Sequence, residues 1–246
     1  MWTELNVSTS EQAQNTEETA TKPTPFQAYD PVPASQRHRA DRMIKVVLFA
    51  ITLVALWFVS ITVPKYLTLT RETYGLFWPH HQWLFVHALA GTIAAVFGPV
   101  QFWLGIKREQ PALHRAIGIA YVTCTGVGAI TAFYLAFHTV YGWIFGAGLT
   151  AMAIAWLATT GIATAAICRR MVTLHREWMI RSYVVTFGFV LFRVISEGLD
   201  MINVGTLPER LTFASWACWT LPLLIVEGGI QARRVLMPAS GQTSNS

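Results

Sequence analysis

Six runs of apolar residues punctuate the chain, at roughly 43–64, 83–106, 115–138, 143–167, 179–199 and 213–235. Each is close to the ~20 residues that cross about 30 Å of hydrocarbon as a helix. None shows the apolar/polar alternation of a half-buried strand. Only helices and closed barrels satisfy their backbone in lipid, so runs of this length predict six membrane-crossing helices. The segment before them, residues 1–42, is polar, rich in Ser, Thr, Glu and Pro, and poor in aliphatics. It has too little apolar surface to offset the entropy of ordering, and a disordered tail is expected there. Its length and acidic start do not fit a secretory signal or a mitochondrial transit peptide. The chain therefore reads as an all-α integral membrane six-helix bundle over 43–236, between that tail and a short one at 237–246.

Polar positions on the spans fall on stripes. At 100° per residue, Ser182, Thr186, Arg193, Ser196, Glu197 and Asp200 share about 100° of the fifth span, and His175 extends the line. The third span repeats the spacing with His114, Gly118, Tyr121, Thr125, Gly128 and Ala132. The second does so with His87, Gly91, Ala94, Gly98, Gln101 and Gly105. In lipid, helices associate through small residues and interhelical hydrogen bonds, so these three seams are expected to face one another. Depth sorts the polar groups into one set with His87, Arg193, Glu197 and Asp200, and another with Gln101, His114, His175 and Glu227. Arg193 and Glu197, spaced i, i+4, are expected to neutralise each other, and Arg181 is expected to pair with Glu177 and snorkel to the interface. The competing reading of the seam is helix adhesion alone.

Charge refines the picture. Only 13% of residues are charged, about half the share of a soluble domain. With the amino terminus assigned to the cytoplasm, thirteen Lys/Arg lie on that side (37, 39, 42, 45, 107, 108, 115, 169, 170, 176, 181, 233, 234) and three on the other (65, 71, 210). That asymmetry predicts both termini inside, in a bacterial cytoplasmic (inner) membrane. It also accounts for the net charge of +5 without a nucleic-acid partner, leaving the lipid bilayer and other subunits of a membrane complex as partners. Cys124, Cys168 and Cys218 lack metal-ligand spacing and read as reduced structural thiols. His80-His81, in the longest predicted outer loop, have no flanking carboxylate or cysteine and read as surface residues beside a proline turn.

Histidines on inward faces of a helical bundle raise the prospect of a b-type haem held by two imidazoles. His114 and His175 form the candidate iron-ligating pair, with His87 and Gln101 as further cofactor-binding candidates and Arg181, Arg193, Glu197 and Glu227 as the charged seam. An outer pair of His87 with His138 is the alternative. A two-haem protein is disfavoured, since His114 and His138 are 24 residues apart, about 36 Å along one helix. The best functional expectation is a haem- or quinone-binding membrane subunit in electron transfer. A proton-coupled or small-solute transporter is the rival, and an assembly or structural subunit the third reading. No Walker loop, HExxH, GxSxG or dinucleotide fingerprint occurs, which argues against a hydrolytic enzyme.

A short repeat links "PALHRAIGIAYV" (111–122) to "VTLHREWMIRSYV" (172–184) and places His114 and His175 at equivalent depths. With His87, "GPVQF" (98–102), "LHRAIGIAYV" (113–122), "WLATTGIA" (156–163), "HREWMIRSYVVTF" (175–187) and Arg193, the chain resembles an uncharacterised bacterial family of multi-pass membrane proteins, a domain of unknown function. The resemblance covers about 84–195 and implies no activity, substrate or cofactor. It implies the multi-pass topology and marks His87, His114, His175, Arg181 and Arg193 as the informative positions, with the tail, first span and sixth span outside it.

Overall fold

The computed structural model describes residues 34–236. The disordered tail expected before residue 34 and the tail at 237–246 lie outside the described residues. Six long helices follow one another: α1 (Ala34–Leu67), α2 (His81–Lys107), α3 (Pro111–Phe137), α4 (Trp143–Cys168), α5 (Val172–Met201) and α6 (Leu207–Leu236). A turn of helix at Arg71–Tyr74 and a 3-10 segment at Gly75–His80 lead into α2. All six long helices are long and apolar enough to cross a membrane. Among the described residues there is no strand. Helix α1 begins ahead of the boundary at 43 read from hydropathy, because polarity marks where lipid ends and not where the helix ends.

The breaks between helices have local causes. Arg108 caps α2 in the left-handed region at φ 57°, and Pro111 occupies the first turn of α3, where its missing N–H costs nothing. Gly142, at φ 94°, opens α4 in a conformation that a side chain would strain. Before α6, the Thr206 N–H donates to Glu209 Oε2 at 2.7 Å, the carboxylate half of a capping box.

The chain divides into two units, Met1–Lys45 and Val46–Ser246, and α2–α6 belong wholly to the second. There α2 packs on α3, α3 on α4, α4 on α5, and α5 back on α2. This closes a four-helix ring in which α3 and α5 stand on a diagonal. Helix α6 packs outside the ring against α5 and α4. From α1, Ala55 and Phe58 are buried and Ile51 touches the core. The outer surface carries Ile130, Phe137, Trp143, Leu224 and Ile225 fully in view, while the interior is built from Ala94, Ala129, Ala163, glycines and hydroxyls. Bulk outside and small or polar residues inside is the pattern expected where lipid is the solvent.

Two glycines set how closely the ring closes. A Cβ on Gly98 would lie 2.0 Å from Cε2 of Tyr183, and one on Gly128 would lie 2.8 Å from the Trp156 ring. These positions let an aromatic ring of a neighbouring helix rest directly on the backbone. Tyr183 is held there by donating to the Ala95 carbonyl at 3.0 Å.

Candidate functional site

The three seams do meet. Tyr121, Thr125, Ser182 and Thr186 are essentially inaccessible, and Gln101 and Ser196 are buried. Tyr121 OH lies 2.8 Å from Ser182 Oγ and 2.7 Å from Thr186 Oγ1 across the α3–α5 diagonal. Trp156 Nε1–H donates to Thr186 Oγ1 at 2.8 Å, and Thr160 Oγ1 lies 2.6 Å from Ser182 Oγ. Thr186 donates its own proton to the Ser182 carbonyl at 2.9 Å. Donor counting then fixes the rest. Tyr121 donates to Thr186, Ser182 donates to Tyr121, and Thr160 donates to Ser182. These four hydroxyls and the Trp156 indole are a neutral set in which each proton has an acceptor, while Thr125 Oγ1, buried one turn along α3, has no hydrogen-bond partner among the described residues.

Helix α4 belongs to this centre, although the sequence reading gave it no seam. Met152, Trp156, Thr159, Thr160, Ala163 and Ala166 are buried on one face. Their helical spacing is a signal, but a tryptophan in a membrane chain is first counted to the interfacial belt. Here it sits mid-helix as a hydrogen-bond donor.

Two turns from the central bonds, toward the basic end of the bundle, stand His114 and His175. His114 precedes Tyr121 by seven residues and His175 precedes Ser182 by seven. The Tyr121–Ser182 bond therefore sets the two histidines at one depth on diagonal helices. His175 Nδ1 contacts the Ala163 carbonyl at 2.8 Å, which requires Nδ1 to carry the proton and leaves Nε2 a lone pair. His114 Nδ1 is buried without a hydrogen-bond partner, and its ring edge rests near Gly105. Gln101 donates to the His114 carbonyl at 2.6 Å and so fixes α2 against the start of α3. His87 is toward the opposite end, with Nδ1 on the Gly128 carbonyl at 2.9 Å and its ring against Phe189. His138 is not its partner: it sits against His80 and Tyr134.

The charged residues are arranged differently from the expectation. Arg181 does not snorkel; it is buried, and it donates through Nε to Glu227 Oε2 of α6 at 2.8 Å. Glu177 stays 3.9 Å away from Arg181 Nη1 and is engaged by Arg234. The Arg181 guanidinium also lies 4.8 Å from the Trp178 ring centre. A surface depression of about 530 Å³ beside this network is lined by Arg170, Val172, Leu174, Glu177 and Arg234, with neither His114 nor His175 in its wall. At the far end Arg193 donates to the Tyr66 hydroxyl of α1 instead of pairing with Glu197, which is exposed. Asp200 pairs with Arg210 at 2.7 Å. The i, i+4 contact of Arg181 with Glu177 is present at 3.9 Å, with Glu227 of α6 supplying the shorter bond, whereas Arg193 bonds Tyr66 of another helix and not Glu197.

Residues 84–228 match the family model described as "Predicted membrane protein (DUF2306)". The match reaches through the Arg181–Glu227 pair into α6, which the motif resemblance had left outside. Neither the curated proteins nor the solved structures include a match.

Proposed function

The chain belongs to the DUF2306 family of predicted membrane proteins, and on that premise we propose that it is a membrane redox subunit for one b-type haem at the basic end of the bundle, which His114 and His175 would hold. The observation that carries this reading is the placement of the two imidazoles at one depth on diagonal helices, two turns from a hydrogen-bonded floor. Bis-imidazole ligation needs facing side chains from different helices of a bundle. The donor chemistry fits: the Nδ1–H of His175 is given to a backbone carbonyl, the outer-shell contact that orients ligating histidines and raises their basicity. Neither Nε2 has a hydrogen-bond partner among the described residues, so both are free to ligate. Arg115 and Arg176, each next to its histidine and exposed, are suitable counter-charges for haem propionates. When bound, the haem would supply one-electron chemistry; the chain would supply orientation, a dry floor and the pairing of charge. The thirteen-to-three charge asymmetry supports a cytoplasmic-side site in a bacterial inner membrane, with both termini inside.

The test is a spectrum. Tag-free protein purified from haem-supplied cells should show a Soret band that shifts on reduction. The band should vanish in His114→Ala or His175→Ala and persist in His87→Ala. A colourless wild-type protein that also fails to bind added haemin would overturn the assignment.

A further inference from the structure

At the end of the bundle opposite the basic one, a second pair of histidines comes together from separate segments. His80 closes the 3-10 segment before α2, and His138 caps the end of α3. Their ring centres are 4.6 Å apart with planes inclined by 52°. One residue holds both. His138 stacks on the Tyr134 ring, 4.1 Å between centres, and places Nδ1 2.7 Å from the Tyr134 carbonyl. His80 places Nδ1 3.0 Å from the Tyr134 hydroxyl. Trp83 stacks on Tyr134 at 4.2 Å between centres and supports the platform from α2. His138 is exposed and His80 half-buried, so the pair is open to the aqueous side.

We propose that His80 and His138 form a binding site for a divalent late transition-metal ion of the Zn2+ or Cu2+ class, bridging the segment before α2 to the end of α3. The tautomers follow from the contacts. A carbonyl only accepts, so His138 Nδ1 carries the proton and its Nε2 holds a lone pair. The Tyr134 hydroxyl accepts from His80 Nδ1 with equal ease, which frees the second Nε2. Both nitrogens then have the outer-shell partner that ligating histidines use. The spacing fits as well. With a metal–nitrogen bond of about 2.1 Å and about 1.1 Å from nitrogen to ring centre, two imidazoles at a tetrahedral angle have centres about 5 Å apart. The observed 4.6 Å corresponds to an angle of about 92° on the same construction, within reach of tetrahedral or square-planar coordination. Among the described residues no cluster of three or more His, Cys, Asp or Glu is placed to hold a metal. Water would complete the shell, which leaves coordination positions open to exchange. His81 is not part of the pair: its ring stacks on Trp78, and its Nδ1 is 2.9 Å from the Trp78 carbonyl.

Zn2+ titration of the tag-free full chain in detergent, followed by calorimetry, tests the site. One ion should bind per chain. His80→Gln and His138→Ala should each weaken binding by about tenfold or more, and the double variant little further, because one ligand alone is already a poor site. His81→Ala should bind as wild type does. Zn2+ should raise the unfolding midpoint of wild type but not of His138→Ala, each measured against its own metal-free midpoint. Zn2+ binding that persists within about threefold in both single variants, or absence of any binding at millimolar Zn2+, would overturn the proposal.

Discussion

Substituting Gly98 by alanine should damage the bundle far more than one methyl group implies. The added Cβ would stand 2.0 Å from Cε2 and 2.1 Å from Cδ2 of Tyr183. Ordinary carbon contact begins near 3.5 Å, so the ring or the helix must shift by about 1.5 Å. The ring is not free to swing: its hydroxyl donates to the Ala95 carbonyl one turn from Gly98, and Phe102 packs edge-on against it at 5.6 Å. Moving it loses a buried hydrogen bond, about 1 kcal/mol or more. Overpacking a tight interface adds about 1–3 kcal/mol. A total of about 2–4 kcal/mol is expected from these two contributions. The assay is reversible unfolding of purified protein in mixed micelles, run as a cycle with Tyr183→Leu. Gly98→Ala should be nearly neutral on the Tyr183→Leu background, because the obstructing ring is gone. A cost under about 0.5 kcal/mol on the wild-type background, or the same cost on both backgrounds, would refute the claim that this ring sets the α2–α5 approach.

In the central hydroxyl set, Thr186→Val removes the acceptor of both Trp156 and Tyr121 and should cost about 2–4 kcal/mol, while Thr186→Ser should cost under about 1 kcal/mol; the same unfolding assay separates them. At the α5–α6 contact, Glu227→Ala removes the acceptor of the Arg181 Nε and Nη2 protons and should cost about 1.5–3 kcal/mol. Glu177→Ala, whose carboxylate is 3.9 Å from Arg181 and engaged by the half-exposed Arg234, should cost under about 1 kcal/mol. Equal effects of these two glutamate variants would count against the assigned pairing.

The spans and the inward faces of α2, α3 and α5 were legible because lipid imposes length and the helix imposes period. Tyr121, Thr125, Ser182 and Thr186 sit where 100° steps put them. What periodicity could not supply was partnership between distant segments. Arg181 finds Glu227, 46 positions away, and Arg193 finds Tyr66, 127 positions away; no local spacing encodes either bond. Trp156 and its buried threonine neighbours stand at helical spacing on α4, but with no charged or histidine residue among them to draw a stripe, that face was not traced. The His80–His138 contact escaped for the same reason as the arginine pairs, being made by a loop and a helix end that meet only once α2 and α3 pack.

The neutrality of the Tyr121–Ser182–Thr186–Trp156–Thr160 set bears on how the protein experiences an energised membrane. A membrane voltage does work only on charge that moves through it, about 2.3 kcal/mol per elementary charge per 100 mV. Arg181 and Glu227 lie toward one end and Arg193 toward the other, while the middle is held by uncharged hydroxyls and an indole. Polarising or depolarising the bilayer therefore exerts no net pull on these hydroxyls and the indole themselves, and any voltage acts on the bundle through the charged groups at its two ends.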